Sequence, residues 1–144
     1  MNDSFQYNHT VTPDEIDQQD HVHNLRYLRW TLSAAHAHSA AGGWDSQAQL
    51  QRGIGWVVRS HDITYRAAAL AGDELVVQTW LSEVTPMAVR RRYVIARPAD
   101  RQVLAKAETR WVLVDLRDRK AIRLDPETLA SLQVLESAPP LPWQ

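Results

Sequence analysis

The chain predicts an α+β fold in which one long central helix is wrapped by a curled antiparallel sheet of five strands. Two observations carry that expectation. Apolar residues recur at helical spacing in a single long segment near the N-terminus, whereas the rest of the chain reads as four long strands joined by short turn signals. The helical segment has apolar residues on more than one side, so it needs cover in more than one direction, and a curled sheet supplies it.

Residues 5–11 read as a short strand, with Phe5, Tyr7 and Val11 in alternation and His9 interrupting the apolar face. Pro13 and the acidic, Gln-rich run to Asp20 predict a loop. From Asn24 the period changes. Leu25, Leu28, Leu32, Ala35 and Ser39 follow three- and four-residue steps, as do Tyr27, Trp30, Ala34 and Ala37. One helix of about five turns is expected from His23 to Ala41, closed by Gly42-Gly43. Strands are expected over residues 54–65, 74–84, 87–97 and 103–116, with separators short enough for consecutive antiparallel pairing. Trp80 and Trp111 are candidates for the outer face of the sheet. Asp125 followed by Pro126 predicts a last helical turn to Leu132. Residues 1–136 are expected to form one domain, and the proline-rich tail 137–144 to be extended or mobile.

With 144 residues, 44% hydrophobic and 23% charged, the chain has the balance of an ordinary soluble globular domain. A net charge of -1 removes the electrostatic case for a general nucleic-acid binder. The absence of cysteine excludes disulfides, thiolate metal sites and Cys nucleophiles. No apolar run has the length of a membrane span or a signal peptide, so a cytoplasmic protein is the default expectation. Among six histidines, His21-x-His23 lacks a third ligand nearby, and His36 and His38 lie about 200° apart on the helix. No metal site is expected.

The densest cluster of functional side chains is the segment Ile16-Asp17-Gln18-Gln19-Asp20-His21-Val22-His23-Asn24-Leu25-Arg26-Tyr27-Leu28-Arg29-Trp30. It brings two carboxylates and two imidazoles to the N-terminus of the helix. The free N–H groups of a first turn and the positive end of the macrodipole stabilise developing negative charge. A carboxylate beside them can act as base or nucleophile while an N–H polarises a carbonyl, which suits acyl transfer. From spacing alone, the favoured reading is that Asp17 and Asp20 merely cap the helix.

The run Asp17-x-x-Asp20-His21-Val22-His23-Asn24-x-x-Tyr27-Leu28-x-Trp30 resembles the hot-dog-fold acyl-CoA thioesterases of the 4-hydroxybenzoyl-CoA thioesterase type, whose signature is Asp-x-x-Gly-His-Val-Asn-Asn-x-x-Tyr-x-x-Trp/Phe. Asp62-Ile63-Thr64-Tyr65, Ala71-Gly72-Asp73-Glu74-Leu75, Arg92-Tyr93-Val94-Ile95 and Ala105-x-Ala107-x-Thr109-x-Trp111-Val112 extend the likeness over about residues 5–126. The resemblance implies a hot-dog fold and hydrolysis of an acyl-CoA to free acid and coenzyme A. It puts Asp17 in the place of the catalytic carboxylate, as general base or nucleophile, and the Asn24 backbone N–H in that of the carbonyl donor. It further implies a homodimer or homotetramer with the site at the subunit interface, where residues 58–60 line the acyl pocket.

Candidate substrate contacts are His21, His23, Tyr27, Arg59, Ser60, Arg90 and Arg92, the arginines through coenzyme A phosphate. No cofactor is implied beyond the coenzyme A of the substrate. Three departures from the family pattern stand out: Asp20 replaces Gly, His23 replaces the first Asn, and Ala67-Ala68 stands where relatives often carry Arg-Pro. The alternatives are thioester hydrolysis on acyl carrier protein and non-catalytic acyl-CoA binding.

Overall fold

The computed structural model describes residues 4–144. Its principal elements are β1 (Ser4–Thr10), α1 (Asn24–Ala41), α2 (Ser46–Gln51), β2 (Ile54–Tyr65), β3 (Glu74–Val84), β4 (Val89–Arg97), β5 (Gln102–Asp115), β6 (Lys120–Ala121) and α3 (Pro126–Ser131). The antiparallel sheet runs in the order β1-β3-β4-β5-β2, with the two-residue β6 paired to β5. This is the hot-dog arrangement, a long helix held in a curled sheet. No helix of the described residues is long and apolar enough to cross a membrane.

The inward sheet face meets α1 through alternate residues: Leu75 and Val77 on β3, Ile95 on β4 and Ala105 on β5 pack against Tyr27, Trp30 and Ala34. The buried stripe of α1 is Tyr27, Trp30, Thr31, Ala34, Ala35 and His38. The second apolar face expected on the helix is covered in part: Ala35 is buried, Leu28 and Leu32 are half-buried, and Leu25 is 66% exposed.

Four expectations are corrected. Consecutive pairing fails at β2, which crosses to β5 because β1 takes the free edge of β3. The crossing segment is tied down by Arg66 and Ala67 N–H groups on the Leu104 carbonyl (2.8 and 3.2 Å) and by Ala69 N–H on the Tyr27 hydroxyl (2.8 Å). The stretch after α1 is not all strand: Asp45 caps α2 by accepting from Ala48 N–H, in a polar segment with no periodicity to announce it. Trp111 faces inward, against Ala35 and Tyr93. Trp80 does lie on the outer face but is buried there, because the tail folds back: Leu141 and Trp143 pack on Trp80, Val94 and Ala96, and Gln78 donates to the Pro140 carbonyl (2.7 Å).

Candidate functional site

The segment leading into α1 is a closed loop. A bridge between Ile16 and Val22 pinches its base, and Asp17 N–H donates to the His21 carbonyl at 2.8 Å. The turn inside requires a left-handed residue, and Asp20 occupies it with φ 62°. Gly carries no steric cost there; Asp accepts it more readily than most residues. Asp20→Gly is therefore expected to leave stability unchanged or raise it, while Asp20→Val lowers it by about 1–2 kcal/mol, both readable by urea denaturation.

Asp17 is half-buried. Its Oδ1 accepts from the Gln19 N–H (2.8 Å) and the His21 N–H (3.3 Å), which fixes the carboxylate plane. Oδ2 accepts no hydrogen bond from the described residues. His23 is the N-cap of α1, its Nδ1 accepting from Leu25 N–H at 3.2 Å and its carbonyl from Arg26 N–H at 2.9 Å. Asn24 begins the helix, and its N–H meets no acceptor among the described residues. One oriented carboxylate oxygen and one free amide at a helix N-terminus thus sit on the same short loop-to-helix segment.

Behind the loop lies a group that sequence reasoning missed. Glu15 is buried at 6% exposure, and its carboxylate accepts from Trp30 Nε1–H (2.8 Å) and Thr12 N–H (3.0 Å) and pairs with His9 Nε2 (2.7 Å). Burial pushes the Glu15 carboxyl up. The bonds from Thr12, His9 and Trp30, with the neighbouring His9 charge, more than offset this and hold it below the ordinary glutamate value. Its backbone carbonyl also receives His23 N–H (3.2 Å), so Glu15 joins β1, the loop and the helix N-terminus. The only local sign was the Thr12-to-Glu15 spacing of a capping box.

The other candidates divide into two groups. His21 and His23 are exposed on the loop beside Asp17. Tyr27 is buried with its hydroxyl engaged by Ala69; its ring meets Tyr65 edge-on, and the Tyr65 hydroxyl donates to the Asn24 carbonyl at 3.4 Å. Arg59 and Ser60 lie elsewhere, exposed at a bulge on the outer edge of β2. Arg90 and Arg92 point away from the helix side of β4; Arg90 pairs with Glu108 at 2.9 Å, while Arg92 is exposed. Within one chain these four are not brought to the loop by any recorded contact.

Two further polar groups line the inner sheet face, the half-buried His61 and the buried Arg91. His61 Nδ1 bonds Thr109 Oγ1 (2.6 Å) and its Nε2 is buried without a partner; burial pushes its pKa down, which keeps the ring neutral at pH 7. Arg91, between the two outward arginines, is buried on the helix side.

The model of the thioesterase-like superfamily matches residues 11–132. The long-chain acyl-CoA thioesterase FadM of Escherichia coli (strain K12) is 29% identical over 118 residues, spanning 82% of this chain and 89% of that protein. Among solved structures, Slr0204, a 1,4-dihydroxy-2-naphthoyl-CoA thioesterase from Synechocystis, superposes with a TM-score of 0.83 at 21% identity, over 94% of this chain and 99% of its own. The probable thioesterase YbaW from Escherichia coli superposes with a TM-score of 0.76 at 28% identity, over 89% and 98% of the two chains.

Proposed function

The chain belongs to the thioesterase-like superfamily, and from that premise we propose that it hydrolyses an acyl-CoA to the free acid and coenzyme A through Asp17 and the Asn24 backbone N–H. The observation that carries this reading is the pairing of an Asp17 carboxylate anchored through Oδ1 alone with an unpartnered N–H at the start of α1. The likeness to a long-chain acyl-CoA thioesterase supports coenzyme A as the thiol of the substrate.

With the thioester carbonyl oxygen on the Asn24 N–H, the macrodipole stabilises the oxyanion. Acting as general base, Asp17 Oδ2 takes a proton from water as the water oxygen bonds the carbonyl carbon. The tetrahedral intermediate then collapses with cleavage of the C–S bond, and the departing thiolate takes up the proton. Acting as nucleophile, the same oxygen expels the thiolate and forms an anhydride, which water hydrolyses to the acid and free Asp17. A thiolate is a good leaving group, so neither route demands a strong general acid.

The site is completed by a second copy of the chain. β2 is a 12-residue edge strand, and Val58, Arg59, Ser60 and Tyr65 are exposed along it. The exposed Leu25 of α1 adds apolar surface. A long bare edge of this kind is stabilised by pairing with another strand. Pairing would carry Arg59 and Ser60 to the partner's loop. Light scattering should give a dimer or tetramer, and Val58→Asp with Leu25→Asp should shift it to monomer with loss of turnover. A fully active monomer would contradict the shared site.

Substrate class is tested by free-thiol release from short, medium, long and aromatic acyl-CoAs beside an acylated carrier protein. Turnover of a coenzyme A ester is the expected result. Turnover confined to the carrier protein would overturn it, and silence on all of them would favour a binding role.

A further inference from the structure

A cavity of about 680 Å³, partly open to solvent, lies against the C-terminal half of α1, bounded by that helix, α2, α3 and the inner face of β2, β3, β4 and β5. Its apolar wall includes Trp44, Trp56, Trp111, Leu81 and Val89. The volume falls in the range of small-ligand sites. It begins at Leu32, about 12 Å along the helix axis from Asn24, so it is separate from the loop that holds Asp17.

Two arginines line the cavity: Arg52, exposed at the end of α2, and Arg91, which is buried. Arg91 is 6% exposed and forms no ion pair with a carboxylate among the described residues. Its Nη1 donates to Thr79 Oγ1 (3.0 Å) and to His38 Nδ1 (2.8 Å). Because a guanidinium only donates, His38 Nδ1 is the acceptor and that ring is neutral. Nε and Nη2 are left for the cavity that the residue lines. Burial lowers the Arg91 pKa to about 10, which still leaves it charged at neutral pH. Asp125 and Glu127 also line the cavity, but they are exposed on α3, and Asp125 is occupied in capping by accepting from Thr128 N–H (2.6 Å).

A buried cation without a counter-charge is costly, and a packed apolar side chain in its place is often at least as stable. A planar fork of donors at an aromatic-lined cavity matches a carboxylate attached to an apolar body. We propose that this cavity binds an amphipathic carboxylate, its acid group on Arg91 and its hydrocarbon against the tryptophans. Two sources present that chemistry: a free fatty acid, such as thioester hydrolysis releases, and the distal carboxylate of a dicarboxylic acyl group.

Three tryptophans in the wall give a direct readout. Titration of octanoate and of 1-octanol against intrinsic fluorescence should show the carboxylate binding at least tenfold more tightly, and Arg91→Met should abolish that preference. Equal or tighter binding of the alcohol to the wild-type protein would overturn the proposal, whether or not the variant folds; so would a preference that survives in a folded Arg91→Met. The second arm compares kcat/KM for palmitoyl-CoA and the coenzyme A monoester of the sixteen-carbon dicarboxylic acid, a chain long enough for the rise of about 21 Å along α1 from Asn24 to His38, which Arg91 contacts. A monoester advantage lost in Arg91→Met assigns the site to a distal acyl carboxylate, and its absence alongside tight octanoate binding assigns it to free acid. An octanoate preference without thiol release from any ester upholds this site while contradicting the proposed reaction.

Discussion

Replacing Glu15 with Gln is expected to destabilise the protein by about 2–3 kcal/mol, the range for a lost hydrogen bond to a buried charged group. Trp30 Nε1–H and Thr12 N–H can only donate to the Glu15 carboxylate. A carboxamide of the same shape must turn its NH₂ toward one of them. Ala costs more, about 3–5 kcal/mol, because it also leaves the indole N–H buried without an acceptor. In a chain of this size the Gln variant should melt roughly 5–12 °C lower. The pH dependence gives a second check. The folded Glu15 carboxyl titrates below its unfolded value, so its stabilisation is complete above about pH 4.5 and is lost as pH falls through the folded pKa. The gap between wild type and Glu15→Gln should narrow below about pH 4. A constant gap in thermal melts from pH 7 to pH 3 would contradict this.

Asp17→Asn is expected to lower kcat by about 10²–10⁴-fold while substrate still binds. The amide oxygen can take over both hydrogen bonds of Oδ1, from Gln19 and His21, so the loop should hold its shape. What is lost is the proton acceptor or nucleophile at Oδ2. Asn24 calls for different reasoning, since its backbone is what serves: Asn24→Ala should retain most activity, whereas Asn24→Pro removes the N–H and should approach the Asp17→Asn loss. Pro is tolerated at a first helical position, so that variant tests the donor more than the fold.

Local pattern located nearly every element here. β2 and β3 begin and end where alternation placed them, and α1 starts one residue later than expected because His23 is its cap. Asp17 and Asn24 stood out through the likeness of residues 17–30 to the thioesterase signature, whereas spacing alone reads Asp17 as a helix cap. Pairings between distant segments were not legible. Nothing in the alternation of residues 54–65 says that they pair with β5 and not with β3. Glu15, His9 and Trp30 come from a loop, a strand and a helix, and only the fold joins them. Arg91 stood closer to legibility. It shares its parity on β4 with Val89, Tyr93 and Ile95, all buried, and that phase alone points its side chain inward. The docking of Leu141 and Trp143 was not legible, because proline content speaks to backbone conformation and not to packing.

The most direct test is free-thiol release from one acyl-CoA by wild type and Asp17→Asn, each at saturating substrate, with binding to the variant measured by calorimetry. The structure predicts steady turnover by the wild type, a fall of at least a hundredfold in the variant, and a dissociation constant within a few-fold of the wild-type KM. Undiminished turnover by a correctly folded Asp17→Asn would contradict the assignment of catalysis to this loop.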